Sequence, residues 1–232
     1  MQLKSSWLDQ FNRLHSSILW KLAFCGFVLF ASSPVLAKAP TRLNCEPLRI
    51  QAIYSDALEA FISKRFAASL DFYKSLLTCP LSRTVSASVH LGLGRNYQEL
   101  SLKEESIREY GIALGYNNSL YQAFTNRGLV LASLGRLKEA INDFNSAITL
   151  DPQNYIALTN RGVAYATIGK FSLAIRDFDL ALKANPGFGE AYLNRGIIFE
   201  LSGDLPRACT DWKSALKLRQ FSAKTWIDTQ CR

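Results

Sequence analysis

Residues 121–154 read YQAFTNRGLVLASLGRLKEAINDFNSAITLDPQN, and the next 34 residues, 155–188, repeat the same order of large, small and charged side chains as YIALTNRGVAYATIGKFSLAIRDFDLALKANPGF. The interval carries outward in both directions. Gly94, Gly128, Gly162 and Gly196 stand 34 apart between Ser88 and Leu218. Three residues after each glycine comes Tyr97, Leu131, Tyr165 or Phe199, and sixteen after it Tyr110, Phe144, Phe178 or Trp212. Small residues fill two further columns, Ser106, Ala140, Ala174 and Ala208 in one and Ala113, Ala147, Ala181 and Ala215 in the other.

Within each copy, apolar residues recur at helical spacing in two runs, separated by a glycine-centred turn such as Leu134-Gly135-Arg136 or Ile168-Gly169-Lys170. Each copy therefore predicts a helical hairpin. The small columns mark where two helices cross closely, and the aromatic columns fill the space left around them. Asp151-Pro152 and Asn185-Pro186 predict the end of the second helix of their copies, because the residue before a proline is pushed out of the helical region. A lone hairpin cannot bury both faces, so the copies stack into one continuous core.

The pattern resembles the tetratricopeptide repeat family. Phe124, Gly128, Ala140, Phe144, Ala147 and Pro152 match its signature, and Leu158, Gly162, Tyr165, Ala174, Phe178, Ala181 and Pro186 match it again. The resemblance implies an all-α fold, a right-handed solenoid of about five stacked hairpins and a C-terminal cap spanning residues 50–232. A degenerate repeat is expected at 50–83, where Phe66, Ser69, Tyr73 and Leu76 reproduce the second-helix columns and the first helix lacks the glycine. Residues 81–86 are expected to form an irregular junction, followed by repeats at 87–120, 121–154, 155–188 and 189–222. A capping helix at 223–232 places Trp226 on the aromatic position that opens each first helix.

The start of the chain has different physics. Lys4, Arg13 and Lys21 precede the apolar run Leu22 to Phe30, and Val35-Leu36-Ala37 offers small residues after Ser32-Ser33-Pro34. This is the layout of a secretory signal peptide, residues 1–37, cut after Ala37 and followed by an N-terminal extension at 38–49. The competing reading is an uncleaved anchor, which would attach the protein to a membrane through residues 1–37. Only 16 residues separate Lys21 from the end of Ala37, with a proline among them, against the ~20 that a spanning helix needs. Cys25 reads as a hydrophobic signal residue. The Asn-Arg-Gly style of the repeats resembles many cyanobacterial repeat proteins, which implies periplasm or thylakoid lumen.

Removal of the signal segment leaves Cys45, Cys79, Cys209 and Cys231, an even number in an exported chain, for which three pairings exist. Placement in the hairpins favours Cys45 with Cys79 and Cys209 with Cys231, one staple at each end of the solenoid. The alternative is four small buried hydrophobes kept reduced. The whole chain carries +8, and without Lys4, Arg13, Lys21 and Asp9 it keeps 24 basic against 18 acidic side chains, or +6. No basic run interleaved with aromatics accompanies that charge, so a solvated surface is expected and a nucleic-acid partner is not.

Asn126-Arg127-Gly128, Asn160-Arg161-Gly162 and Asn194-Arg195-Gly196 put an arginine at one equivalent site in three consecutive copies. Sixteen residues after each comes Asp143, Asp177 or Asp211, and an antiparallel hairpin brings the two positions together as a structural ion-pair ladder. A row of ligand-binding arginines is the sharper alternative. The copy around Gly94 departs from the pattern, with Leu93 and Glu109.

The family resemblance also implies a concave groove lined by the first helices, which receives an extended peptide or a partner helix. Carried over position by position, that groove comprises Thr125, Leu129, Ala132, Ser133, Thr159, Val163, Ala166, Thr167, Leu193, Ile197, Glu200 and Leu201. With Arg95 the one cation among such sites, the basic set that clamps a terminal carboxylate in some family members is missing. An apolar partner segment is expected instead, or else the stripe packs on the cap or on residues 38–49. No catalytic constellation, metal spacing or cofactor loop is present, and His90 sits on an aromatic column as an expected core residue. The expectation is a non-catalytic, cofactor-free scaffold or assembly factor binding another protein. A homo-oligomeric structural subunit and a membrane-tethered adaptor are the rivals.

Overall fold

The computed structural model describes residues 45–231, which lie within one compact unit, residues 42–232. The signal-peptide expectation for residues 1–37 and most of the extension at 38–49 fall outside the described residues. Eleven helices and no strand occur among the described residues. They pair as hairpins α1 (Pro47–Ile62) with α2 (Phe66–Leu76), α3 (Arg83–Glu99) with α4 (Lys103–Tyr116) and α5 (Tyr121–Ser133) with α6 (Leu137–Leu150). The series continues with α7 (Tyr155–Thr167) and α8 (Phe171–Ala184), then α9 (Gly189–Leu201) and α10 (Leu205–Lys217), and closes with α11 (Ala223–Gln230). Each hairpin packs on the next, giving a solenoid.

Helix ends follow local chemistry. In the three glycine turns, Gly135, Gly169 and Gly203 hold φ of 75°, 77° and 83°, a conformation that a Cβ disfavours. The following amide then reaches back five residues, as in Arg136 N to Leu131 O at 3.0 Å and Lys170 N to Tyr165 O at 2.8 Å, which closes the helix. Lys64, Ser101 and Arg219 adopt the same left-handed conformation without being glycine. Helices α6 and α8 stop one residue ahead of Asp151-Pro152 and Asn185-Pro186.

Two boundaries differ from the sequence reading. Helix α3 begins at Arg83, so most of the expected junction at 81–86 is helical and the repeat starts ahead of residue 87; the Ser82 side chain accepts from the Val85 amide and caps the extra turn. Helix α1 begins at Pro47, inside the expected extension, because proline's fixed φ and missing N–H suit a first helical position.

The glycine column seats the aromatic column directly. A Cβ built on Gly94, Gly128, Gly162 or Gly196 would lie 2.6, 2.7, 2.8 or 2.6 Å from the ring of Tyr110, Phe144, Phe178 or Trp212. Those four rings are fully buried. Ser69 and Ser106 in the small column also donate to carbonyls of the facing helix, Ala57 O and Gly94 O, both at 2.8 Å. Disulfides join Cys45 to Cys79 and Cys209 to Cys231, with Cα–Cα separations of 5.5 and 5.7 Å. The second holds α11 against the last hairpin, where the Trp226 ring stacks on Trp212 at 5.3 Å. A closed loop of either size stabilises by about 3–4 kcal/mol in the chain-entropy model.

Candidate functional site

The arginines of the three Asn-Arg-Gly segments lie on α5, α7 and α9, and each turns toward the second helix of its own hairpin. Arg127 donates through Nε and Nη2 to Asp143 at 2.8 and 2.7 Å, Arg161 to Asp177 at 2.8 and 2.7 Å, and Arg195 to Asp211 at 2.8 Å through both. The three aspartates are buried. The bidentate bonds to Asp177 and Asp211 hold the Arg161 and Arg195 guanidiniums above their usual range, so both stay charged at any accessible pH.

The remaining nitrogen reaches the hairpin before. Arg161 Nη1 donates to Asn145 at 2.7 Å, and Arg195 Nη1 to Asp179. Each of these arginines therefore ties two second helices together, fixing both a hairpin and its stacking. Asn145 and Asp179 were missed by the sequence reading, although they sit sixteen residues before their arginine, the same interval counted backwards. For Arg127 that position is Gly111, which offers no side chain.

His90 does more than fill an aromatic slot. Its ring is buried and stacked on Tyr116 at 5.6 Å, and Nδ1 lies 2.6 Å from Glu109. Leu93 occupies the arginine position of this hairpin, and His90, one turn earlier, partners the carboxylate instead.

The twelve expected groove residues separate into two sets. Thr125, Thr159, Ala166, Leu193 and Ile197 are buried between neighbouring helices and present nothing to an occupant, which corrects their assignment as groove lining. The cause is the close stacking of successive hairpins, which sequence position alone cannot measure. Leu129, Ala132, Val163, Thr167 and Glu200 are half-buried, while Ser133 and Leu201 are exposed. Leu129 and Val163 also pack on the cores of their repeats.

Other first-helix side chains are open to solvent: Ile62 is 78 % exposed, and Ile156 is 40 % exposed. Arg95 lays its guanidinium over the Phe61 ring, 4.4 Å from its centroid. Glu190 and Glu200 on α9 are half-buried, and burial raises both carboxyls above the ordinary value of 4.5.

A TPR-repeat family model matches residues 128–169, and a tetratricopeptide-repeat family model matches residues 159–223. Residues 128–223 are tetratricopeptide repeats. Solved tetratricopeptide-repeat structures share the fold: MamA is 22% identical, with 72% of this chain and 96% of that one covered and a TM-score of 0.63. YrrB, described as a TPR protein with an unusual peptide-binding site, is 20% identical over 76% of this chain and 90% of that one, with a TM-score of 0.62. PilF of Pseudomonas aeruginosa is 19% identical over 72% of this chain and 75% of that one, with a TM-score of 0.66. No curated protein sequence matches the chain.

The arginine ladder joins helices within and between hairpins and so belongs to the frame. The architecture is that of a protein-interaction scaffold. Among the described residues, no group of three His, Cys, Asp or Glu side chains could hold a metal ion, and no helix is long and apolar enough to cross a membrane.

Proposed function

We propose that this protein is a non-catalytic scaffold or assembly factor that holds a segment of another protein along its first-helix face. One observation carries the reading: after the solenoid is stacked, the first helices still present apolar side chains to solvent. Ile62, Ile156 and Leu201 are 78 %, 40 % and 38 % exposed, and Leu129 and Val163 are half-buried. Isolated exposed apolar residues are ordinary, whereas apolar side chains spread over several first helices, with Leu129 and Val163 at one equivalent position of successive repeats, suit an extended segment or a helix.

The reading includes export to an extracytoplasmic compartment such as a periplasm or thylakoid lumen. The charged-then-apolar start of the chain and the two cysteine pairs at the solenoid ends support it, since disulfides persist where the medium is oxidising. The intact mass of the protein isolated from its host tests this part. Loss of residues 1–37 is expected, and a full-length chain in the cytosol would defeat it.

The binding reading is tested by affinity capture with wild type and with Ser133→Glu/Ile156→Glu/Leu201→Glu, three changes at exposed positions. A partner captured by wild type and lost by the variant, with helicity and Tm preserved, is the expected result. An unchanged set of partners would move attention to the convex face or the capped ends.

A further inference from the structure

The first-helix face is not uniform along the solenoid. Glu190 takes the position held by Ser88, Gln122 and Ile156 in the preceding repeats, and Glu200 the position held by Gln98, Ala132 and Ala166. Both carboxylates therefore appear where the other repeats are neutral, and both are on α9. They are ten residues apart, so about 15 Å separates them along the helix at 1.5 Å per residue. A segment running across the repeats passes between them.

Neither carboxylate has an ion-pair or hydrogen-bond partner among the described residues. Cations on α9 and on the capping helix are already engaged: Arg195 is held by Asp211 and Asp179, and Lys224 on α11 is held by Asp228. Burial is the one cause that shifts either glutamate, and no neighbouring cation offsets it. Half-burying an unpaired carboxylate is unfavourable, and an incoming cation would relieve that cost at both sites.

Two repeats on either side of the middle differ in sign. Arg95, in the second hairpin, is exposed, stacks on Phe61 and has no carboxylate partner among the described residues. A polybasic tract laid along the whole face would meet that guanidinium, so the complementarity is for positive charge at one end only.

We propose that the groove accepts a protein segment that is apolar over the hairpins α5–α6 and α7–α8 and carries lysine or arginine where it crosses α9, paired with Glu190 and Glu200. This rests on the groove reading above and narrows it to one class of partner.

The test is selection of a phage-displayed library of random peptides on the full chain, on Glu190→Gln/Glu200→Gln, and on Ser133→Glu/Ile156→Glu/Leu201→Glu. Wild type is expected to enrich apolar peptides carrying a lysine or arginine, with basic residues roughly tenfold or more above the input, the scale of a charged hydrogen bond. The double glutamine variant should keep the apolar enrichment and lose the basic one. Apolar enrichment on wild type without basic residues, or a basic preference that survives in the double variant, overturns the inference and leaves the groove reading standing. Absence of enrichment on wild type, or enrichment undiminished in the triple variant, overturns the groove reading and the inference with it.

Discussion

The hairpin α3–α4 and the three that follow it hold the same carboxylate column from different places. In the later hairpins an arginine at 127, 161 or 195 grips the aspartate sixteen residues on. In α3–α4 that site is the buried Leu93, and His90, three residues earlier, meets Glu109 at 2.6 Å. The turn differs as well: Ser101 holds φ of 60° where the later hairpins use glycine. The repeat thus constrains a contact between its two helices more tightly than it constrains the residue that makes it.

The ring seat should show no such latitude, and breaking it should have the largest effect in either region. Gly94→Leu and Gly162→Leu each push a side chain into a buried ring, and each should cost about 3 kcal/mol or more. Urea denaturation of the two variants checks whether the seat matters equally in both hairpins.

The ion pairs should separate the regions. Asp177→Ala strands the Arg161 guanidinium, which cannot shed its charge, and should cost about 3 kcal/mol. Glu109→Ala removes the single partner of His90 Nδ1, and should cost about 1 kcal/mol. Equal losses in denaturant midpoint would mean that the two pairs are energetically the same device.

The turns offer a smaller test in the opposite direction. Ser101→Gly should stabilise by about 0.5–1 kcal/mol by relieving the left-handed backbone, and Gly135→Ser should destabilise by a similar amount. Tm shifts of opposite sign are the expected readout.

The smallest expected effect concerns α9, which lacks in its two glutamates the pairing seen elsewhere. Their folded pKa values lie above the ordinary value, so the native state holds protons more tightly than the unfolded chain. Stability from these groups is retained at acid pH and lost as pH rises through and above the carboxylate range. Glu190→Gln/Glu200→Gln should therefore raise Tm by about 1–3 °C at neutral pH and leave it unchanged well below pH 4. A Tm gain that does not vary with pH would assign the effect to packing.

Much of the frame was legible because a period of 34 is a property of the chain itself. The glycine, aromatic and small columns, the Asp-Pro and Asn-Pro stops and the Arg–Asp interval are all distances along one hairpin, where backbone geometry converts sequence separation into space. The His90–Glu109 pair was hidden because a histidine on an aromatic column carries no mark of its partner. The exposure of the groove was hidden for another reason. Thr125, Thr159 and Leu193 share the column rules of open positions, and only the neighbouring hairpin buries them.

The sequence by itself determined the repeat unit, its number and the charge ladder within each hairpin, since these depend on helix period and turn chemistry. The tertiary structure decided what joins one hairpin to the next: Arg161 to Asn145, Arg195 to Asp179, and the burial of five expected groove residues. It also left Glu190 and Glu200 half-buried without a countercharge. Those outcomes depend on how closely separate helices stack, a quantity set by side-chain packing in space and not by separation along the chain.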